Sequence, residues 1–316
     1  MSPSSEALAL LTPTRQAYAL AGIGHVAIHT ADPARARDFY CGLLGFAEAR
    51  GKLLPHCGEH RLLETRSGQL VALCRAVPGP GLAKTAIHTA YRLSGPARAA
   101  SLEKLRRRGT EIFTYKEDRP EEAPQNCYIH DPDGNRIQLV ADPTLSGEGV
   151  AGIDHAAIQA IDLEWAEKFY VGTLGLDVAH VVGWRTEDYV RAEAWAAGKE
   201  QYLPGAMRLD KRYFAFPGQP THRPRPNIQL YVRAGAETIA IYLEIEHRQE
   251  PPEEQLIGTP RIALRLARGR LEDVAAELAK EKRPFAGPVT HAAGSPFGRS
   301  LYLKDPGANF LEICSD

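Results

Sequence analysis

The sequence predicts an α+β fold of four β-α-β-β-β units grouped into two modules, and two observations predict it. The first is an internal repeat: Gly22 to Phe46 recurs without a gap at Gly152 to Leu176. At a constant offset of 130 the pairs Gly22/Gly152, Ile23/Ile153, His25/His155, Asp32/Asp162, Phe39/Phe169, Tyr40/Tyr170 and Gly45/Gly175 are identical. The second is the order of periodicities, in which an alternating strand pattern, a helical pattern and further short strands succeed one another twice in each half. The repeat also preserves a histidine where a strand needs none, so function is sought on that strand.

In the first unit His25-Val-Ala-Ile-His29 alternates as a half-buried strand, with His25, Ala27 and His29 on one face. Asp32-Pro33 opens a helix as N-cap and first turn, and Ala36, Phe39 and Tyr40 keep helical spacing until Gly42 and Gly45 stop it. Short strands to about 64 and over 69–74 close the unit. The pattern restarts with a strand over 86–93, a helix over 97–108 capped by Gly109, and strands ending at 135–140. The second half repeats it with a strand and helix in 153–172, a strand over 239–245, a Pro- and Glu-rich linker at 250–258, a strand at 261–265, a helix at 271–282 and a closing strand at 309–314.

This divides the chain into a flexible lead-in (1–21), a first module (22–145), a linker (146–151) and a second module (152–316). The motifs Asp131-Pro-Asp-Gly-Asn135 and Asp305-Pro-Gly-Ala-Asn309 stand 174 apart rather than 130, so the second module carries an insertion at about 183–226. It is rich in aromatics (Trp184, Tyr189, Trp195, Tyr202, Tyr213, Phe214, Phe216) and suits a substrate lid, a homodimer contact or a covering layer. Its basic residues Arg208, Lys211, Arg212, Arg223 and Arg225 read as charged loop surface before they read as an anion site.

With 38 basic against 39 acidic residues and a net charge of -1, nothing recruits nucleic acid or an anionic membrane, and small-molecule chemistry is the expectation. No apolar run reaches the length of a membrane span. The five cysteines, odd in number and without a C-x-x-C pair, argue against a disulfide framework or a zinc ribbon and for a reduced, cytoplasmic chain. There is no G-x-G-x-x-G, P-loop or G-x-S-x-G motif.

The segments His-Val-Ala-Ile, Phe-Tyr and Leu-Gly-Phe, with the hairpin Asp131-Pro-Asp-Gly-Asn-Arg-Ile-Gln138, resemble the vicinal oxygen chelate superfamily of glyoxalases, extradiol dioxygenases and bleomycin- and fosfomycin-resistance proteins. The resemblance runs from Gly22 to Ser315. It implies that pairs of units curl into cups, each presenting one divalent metal to two vicinal oxygens of a substrate. The family's metal positions fall on His25 and His155 in the first strands, on Ala72 and Glu244 in the fourth, on His88 and Arg261 in the second units, and on Gln138 and Glu312 in the last strands.

Two sortings of these residues stay open. Pairing within modules groups His25, His88 and Gln138, and separately His155, Glu244 and Glu312 beside Arg261. Pairing across modules puts His88, Gln138, His155 and Glu244 in one cup and His25, Ala72, Arg261 and Glu312 in the other. The cross-paired set is the first choice for the metal, with His25 and Glu312 as the alternative. Strand parity places Glu244 on the face of Tyr242, and Gln138 opposite Ile137 and Leu139.

Val289-Thr-His291, Leu301-Tyr302-Leu-Lys-Asp305-Pro306 and Glu312 further resemble the extradiol dioxygenase signature, implying His291 as acid–base partner and Tyr302 as substrate-orienting group. The expectation therefore leans to dioxygenase-like chemistry on a small oxygenated or aromatic metabolite with Fe(II) or Mn(II). The alternatives are a glyoxalase-type lyase or isomerase using Zn(II) or Ni(II), with Glu244 or Glu312 shuttling the proton, and a metal-free binding or resistance protein.

Overall fold

The computed structural model describes residues 17–49, 54–75, 85–114, 126–183, 227–244 and 250–316. The expected insertion beyond Gly183 and residues 1–16 of the expected lead-in lie outside them. All four units are present. The first runs from β1 (Ala19–Thr30) through α1 (Pro33–Phe39) to β2 (Ala47–Glu48), β3 (His60–Glu64) and β4 (Leu70–Arg75). Asp32 caps α1 by accepting from the amides of Ala34 and Arg35, and the helix widens into a π turn before Gly45 ends it at φ 79°.

The second unit comprises β5 (His88–Leu93), α2 (Gly95–Arg107), β6 (Asn126–His130) and β7 (Arg136–Ala141), with a single bridge from Phe113 to Tyr128 beside β6. The third comprises β8 (Val150–Ala160), α3 (Leu163–Glu167), β9 (Asp177–Gly183), β10 (Asn227–Ala234) and β11 (Glu237–Leu243). The fourth comprises β12 (Arg261–Arg268), α4 (Leu271–Lys280), β13 (Phe285–Thr290), β14 (Arg299–Lys304) and β15 (Phe310–Ser315). Tyr18 and Ala19–Ala21 of the expected lead-in are docked: Ala19 pairs with Arg268, and the Tyr18 hydroxyl donates to the Thr173 carbonyl.

The strands form two mixed sheets, of order β13-β14-β15-β12-β1-β4-β3-β2 and β6-β7-β5-β8-β11-β10-β9. Each sheet joins one unit from each sequence half: the fourth with the first, and the second with the third. The seams are antiparallel, with Ala263 level with His25 in one and Ala90 level with His155 in the other. One face of each sheet packs its apolar residues, such as Val26 and Ile28, or Ile137 and Leu139, with the helices into a continuous core. The opposite face carries the histidines, as strand alternation requires.

Two matching clamps bind the sheets to each other. Asp131, in the hairpin between β6 and β7, accepts from the Asn135 amide and side chain and from the Tyr40 hydroxyl, while Asn135 Nδ2 also donates to the His29 carbonyl at 2.9 Å. Asp305, between β14 and β15, accepts from the amides of Gly307 and Asn309 and from the Tyr170 hydroxyl, and Asn309 Nδ2 donates to the Gln159 carbonyl at 2.8 Å. Each hairpin belongs to one sheet, and the strand end and helix it grips belong to the other.

Because Asp305 is buried with all these donors facing it, Asp305→Ala strands several of them at once and should cost about 3 kcal/mol or more, against about 1 kcal/mol for Tyr170→Phe. Urea unfolding of the two variants checks the ratio; equal small losses would show that the clamp contributes little.

Candidate metal centre

The seam between β5 and β8 brings three side chains of the seven-stranded sheet to one point. His88 Nε2 stands 3.1 Å from His155 Nε2 and 3.1 Å from Gln138 Oε1. All three are buried. The outer nitrogens of both rings are engaged: His88 Nδ1 donates to the Ala86 carbonyl at 2.7 Å, and His155 Nδ1 donates to the Asp154 carboxylate at 2.7 Å. Both protons therefore sit on Nδ1, and two imidazole lone pairs and one amide oxygen face one another.

Three converging acceptors repel unless a cation lies among them. A proton does not suffice, because burial first, then the neighbouring His155, push His88 down to about 3, so its ring is neutral near pH 7. The spacing fits a metal: nitrogen donors about 2.0–2.1 Å from one ion stand about 3 Å apart. The Nδ1 hydrogen bonds to a carbonyl and a carboxylate are the outer contacts that orient metal-binding histidines. The residues present thus fit a divalent ion held by His88, His155 and Gln138.

The structure does not bring Glu244 into this set. Among the described residues no three His, Cys, Asp or Glu side chains converge as a metal-binding group. Strand register explains the displacement: Ala72 lies level with Ala27 and Ala240 with Ala157, so Ala240 is the register equivalent of Ala72. Glu244 stands four residues further on, roughly 13 Å along the chain, past the end of β11.

Two tyrosines that motif reasoning passed over do reach the cluster. The Tyr242 ring is centred 6.1 Å from that of His88, and its hydroxyl is 3.3 Å from that of Tyr231, which donates to Gln229. The Tyr128 ring lies 5.6 Å from His88 on the other side. Tyr128 pairs with Gln138 as Tyr302 pairs with Glu312, ten residues apart in both cases, and that shared spacing was the available signal.

The eight-stranded sheet builds the same register with different groups. His25, Arg261 and Glu312 occupy the positions of His155, His88 and Gln138. Arg261 Nε lies 2.9 Å from Glu312 Oε2, and His25 Nε2 lies 3.3 Å from the same oxygen. The guanidinium thus supplies the positive charge that a metal would bring, and the alternative pair His25 and Glu312 is brought together around Arg261. Burial lowers His25, against the opposing pull of Glu312.

Tyr302 and His291 both lie in this cup. The Arg261 guanidinium sits 5.4 Å from the Tyr302 ring centre, and His56 lies between Tyr302 and His291, 5.1 and 6.3 Å from their ring centres. Neither joins His88. Much of the cup is filled from within by a second apolar cluster, in which Leu54 and Cys57 pack on Leu62, Ala72, Cys74 and Phe297.

Glu312 is the strongest internal test of this charge arrangement. Burial alone would raise its carboxyl, but His25, Arg261 and the Ser300 hydroxyl together hold it at about 2, below its ordinary 4.5. A depressed carboxyl contributes stability that is complete above pH 4.5 and disappears as pH falls towards about 2. Urea unfolding across that window should show Glu312→Gln losing less stability on acidification than the wild type, by on the order of 3 kcal/mol. Parallel curves would refute the pairing.

Comparison with known proteins agrees with this architecture. The model of the Glyoxalase/Bleomycin resistance protein/Dioxygenase superfamily matches residues 22–139. No curated protein matches the chain in sequence. Among solved structures, a Bacillus subtilis protein named as a candidate dioxygenase superposes with a TM-score of 0.60 at 15% identity, covering 95% of this chain and 86% of its own. Glyoxalase I of Zea mays superposes with a TM-score of 0.55 at 14% identity, covering 93% and 92%. At these identities the structures speak for the fold alone. The family match thus covers the first two units of the chain, and the solved structures share its fold along the rest.

Proposed function

We propose that the chain is a divalent-metal enzyme of this superfamily whose working site is the cup of the seven-stranded sheet, with His88, His155 and Gln138 as the protein donors. The observation that carries the reading is the meeting of three hydrogen-bond acceptors at 3.1 Å separations with both imidazole protons turned outward. The substrate is a small molecule with two adjacent oxygens. A bound metal would supply Lewis-acid polarisation of those oxygens.

The donor set is electrically neutral, so it leaves the full charge of the ion for that polarisation, which favours a glyoxalase-type lyase or isomerase. The chain's own residues would do the remainder. Asp154 and the Ala86 carbonyl hold the two imidazoles in their ligating tautomer, Tyr128 and Tyr242 flank the substrate, and the Tyr242 hydroxyl, linked to Tyr231 and Gln229, holds or passes the proton. Zn(II) or Ni(II) suits this chemistry. A dioxygenase using Fe(II) or Mn(II) is the second reading, favoured by Tyr128 standing beside His88 at the register position of Tyr302.

Elemental analysis by plasma mass spectrometry on chelator-free protein tests the site. About one equivalent of metal is expected in the wild type and in His25→Ala, with at least tenfold less retained by His88→Ala and by His155→Ala. Zinc or nickel supports the lyase, and iron or manganese the dioxygenase. No uptake on reconstitution, or loss confined to His25→Ala, would overturn the assignment and leave a metal-free binding protein.

A further inference from the structure

The filled cup of the eight-stranded sheet contains three thiols with no part in the proposed chemistry, Cys57, Cys74 and Cys314. Cys57 lies in the segment that packs into the cup, and Cys74 lies on β4 beneath it. They are 4% and 2% exposed within one apolar cluster. Both sulfurs lie in that cluster, and each thiol shifts the other's titration, Cys57 downward and Cys74 upward. Arg261 Nη2 donates to Cys57 Sγ at 3.4 Å, and the guanidinium is held in place by Glu312 at 2.9 Å and by the Gly258 carbonyl at 3.2 Å.

One sulfur therefore faces a fixed, permanent cation and a second thiol at once. The cation stabilises a thiolate over a thiol, which is the form that oxidants attack, and the second thiol stands ready to resolve the product. Other cysteines lack this combination. Burial pushes the Cys314 and Cys41 thiols up, and Cys127 receives Arg98 Nη2 at 2.8 Å but lies in the other sheet, away from the Cys57–Cys74 pair. Access is short: His56 and Gly58, on either side of Cys57, are exposed and hold φ of 58°, so a local opening of this turn presents the sulfur to a small reagent.

We propose that Cys57 and Cys74 form a redox-active dithiol that a low-molecular-weight hydroperoxide oxidises to a disulfide, fastening the turn around Cys57 to β4. In the first step the Cys57 thiolate attacks the peroxide, the O–O bond breaks, sulfur loses two electrons to become a sulfenic acid, and the alkoxide or hydroxide leaves with a proton. In the second the Cys74 sulfur attacks Cys57 Sγ, the S–O bond breaks, and the departing hydroxide takes the Cys74 proton as water. Two thiols and one hydroperoxide give one disulfide, one alcohol or water, and one water.

The test treats reduced full-length protein with one equivalent of hydrogen peroxide, blocks residual thiols with N-ethylmaleimide and maps the peptides by mass spectrometry. The expected result is a Cys57–Cys74 cross-link with two of the five thiols lost. Cys57→Ser abolishes it, and Cys74→Ser, checked for native thermal unfolding, leaves Cys57 as a sulfenic acid that dimedone traps at least tenfold faster than Cys127. Arg261→Lys, which keeps a charge but not the guanidinium fork, slows the oxidation severalfold while the free thiol count stays at five before treatment. Retention of all five thiols, cross-links through other cysteines, or equal trapping of Cys57 and Cys127 would overturn the proposal.

Discussion

Antiparallel pairing of β5 with β8, Ala90 level with His155, is the contact on which the site depends, and β1 with β12 repeats it with Ala263 level with His25. It sets His88 two residues from that level on the facing strand, close enough for the rings to meet. A slip of one residue would turn either histidine into the apolar core, since side chains alternate faces with a period of two. The seams do not stand alone. Each hairpin reaches across to the opposite sheet, its aspartate to the tyrosine and its asparagine to the strand end, so the two seams are fixed relative to one another by buried hydrogen bonds whose loss would leave unpaired polar groups.

Within this shared frame the two cups solve the same electrostatic problem differently. One gathers two imidazoles and an amide oxygen, with no charged side chain among them. The other places Arg261 where His88 stands and Glu312 where Gln138 stands, so the cation is covalently part of the chain and its countercharge lies 2.9 Å away. A buried pair of this kind is costly to break and adds little over well-packed apolar residues, which suits a structural role. The same cup is packed with apolar residues, which exclude water from the ion pair. A second nitrogen of the same guanidinium is what the Cys57 sulfur meets.

Much of this was legible in the primary structure, residue by residue. The offset of 130 placed His25 and His155 on equivalent strands, alternation put Gln138 opposite Ile137 and Leu139, and the substitution of Arg for His at 261 identified the cup less suited to metal. Tyr128 was legible but unread, since its separation from Gln138 equals that of Tyr302 from Glu312. Glu244 was misleading for a physical reason: parity fixes the face of a strand residue but not its height along the sheet, and height is set by the turn between β10 and β11 and by pairing with β8. His291 and Tyr302 form a motif in the sequence, yet their meaning depends on which histidine faces them.

The amino-acid sequence by itself determined the four units, the faces their strands present and the chemical character of each ligand position. These follow from local periodicity and residue type, which act over a few residues. Only the tertiary structure decided that units pair across the halves, so that His88 meets His155 rather than His25, and that Tyr242 and Tyr128 stand beside His88 while Glu244 lies past the end of β11. Both sortings bury similar apolar faces and leave the same alternation intact. The choice between them rests on seam register and on the hairpin clamps between sheets, contacts between residues more than sixty positions apart that no local pattern encodes.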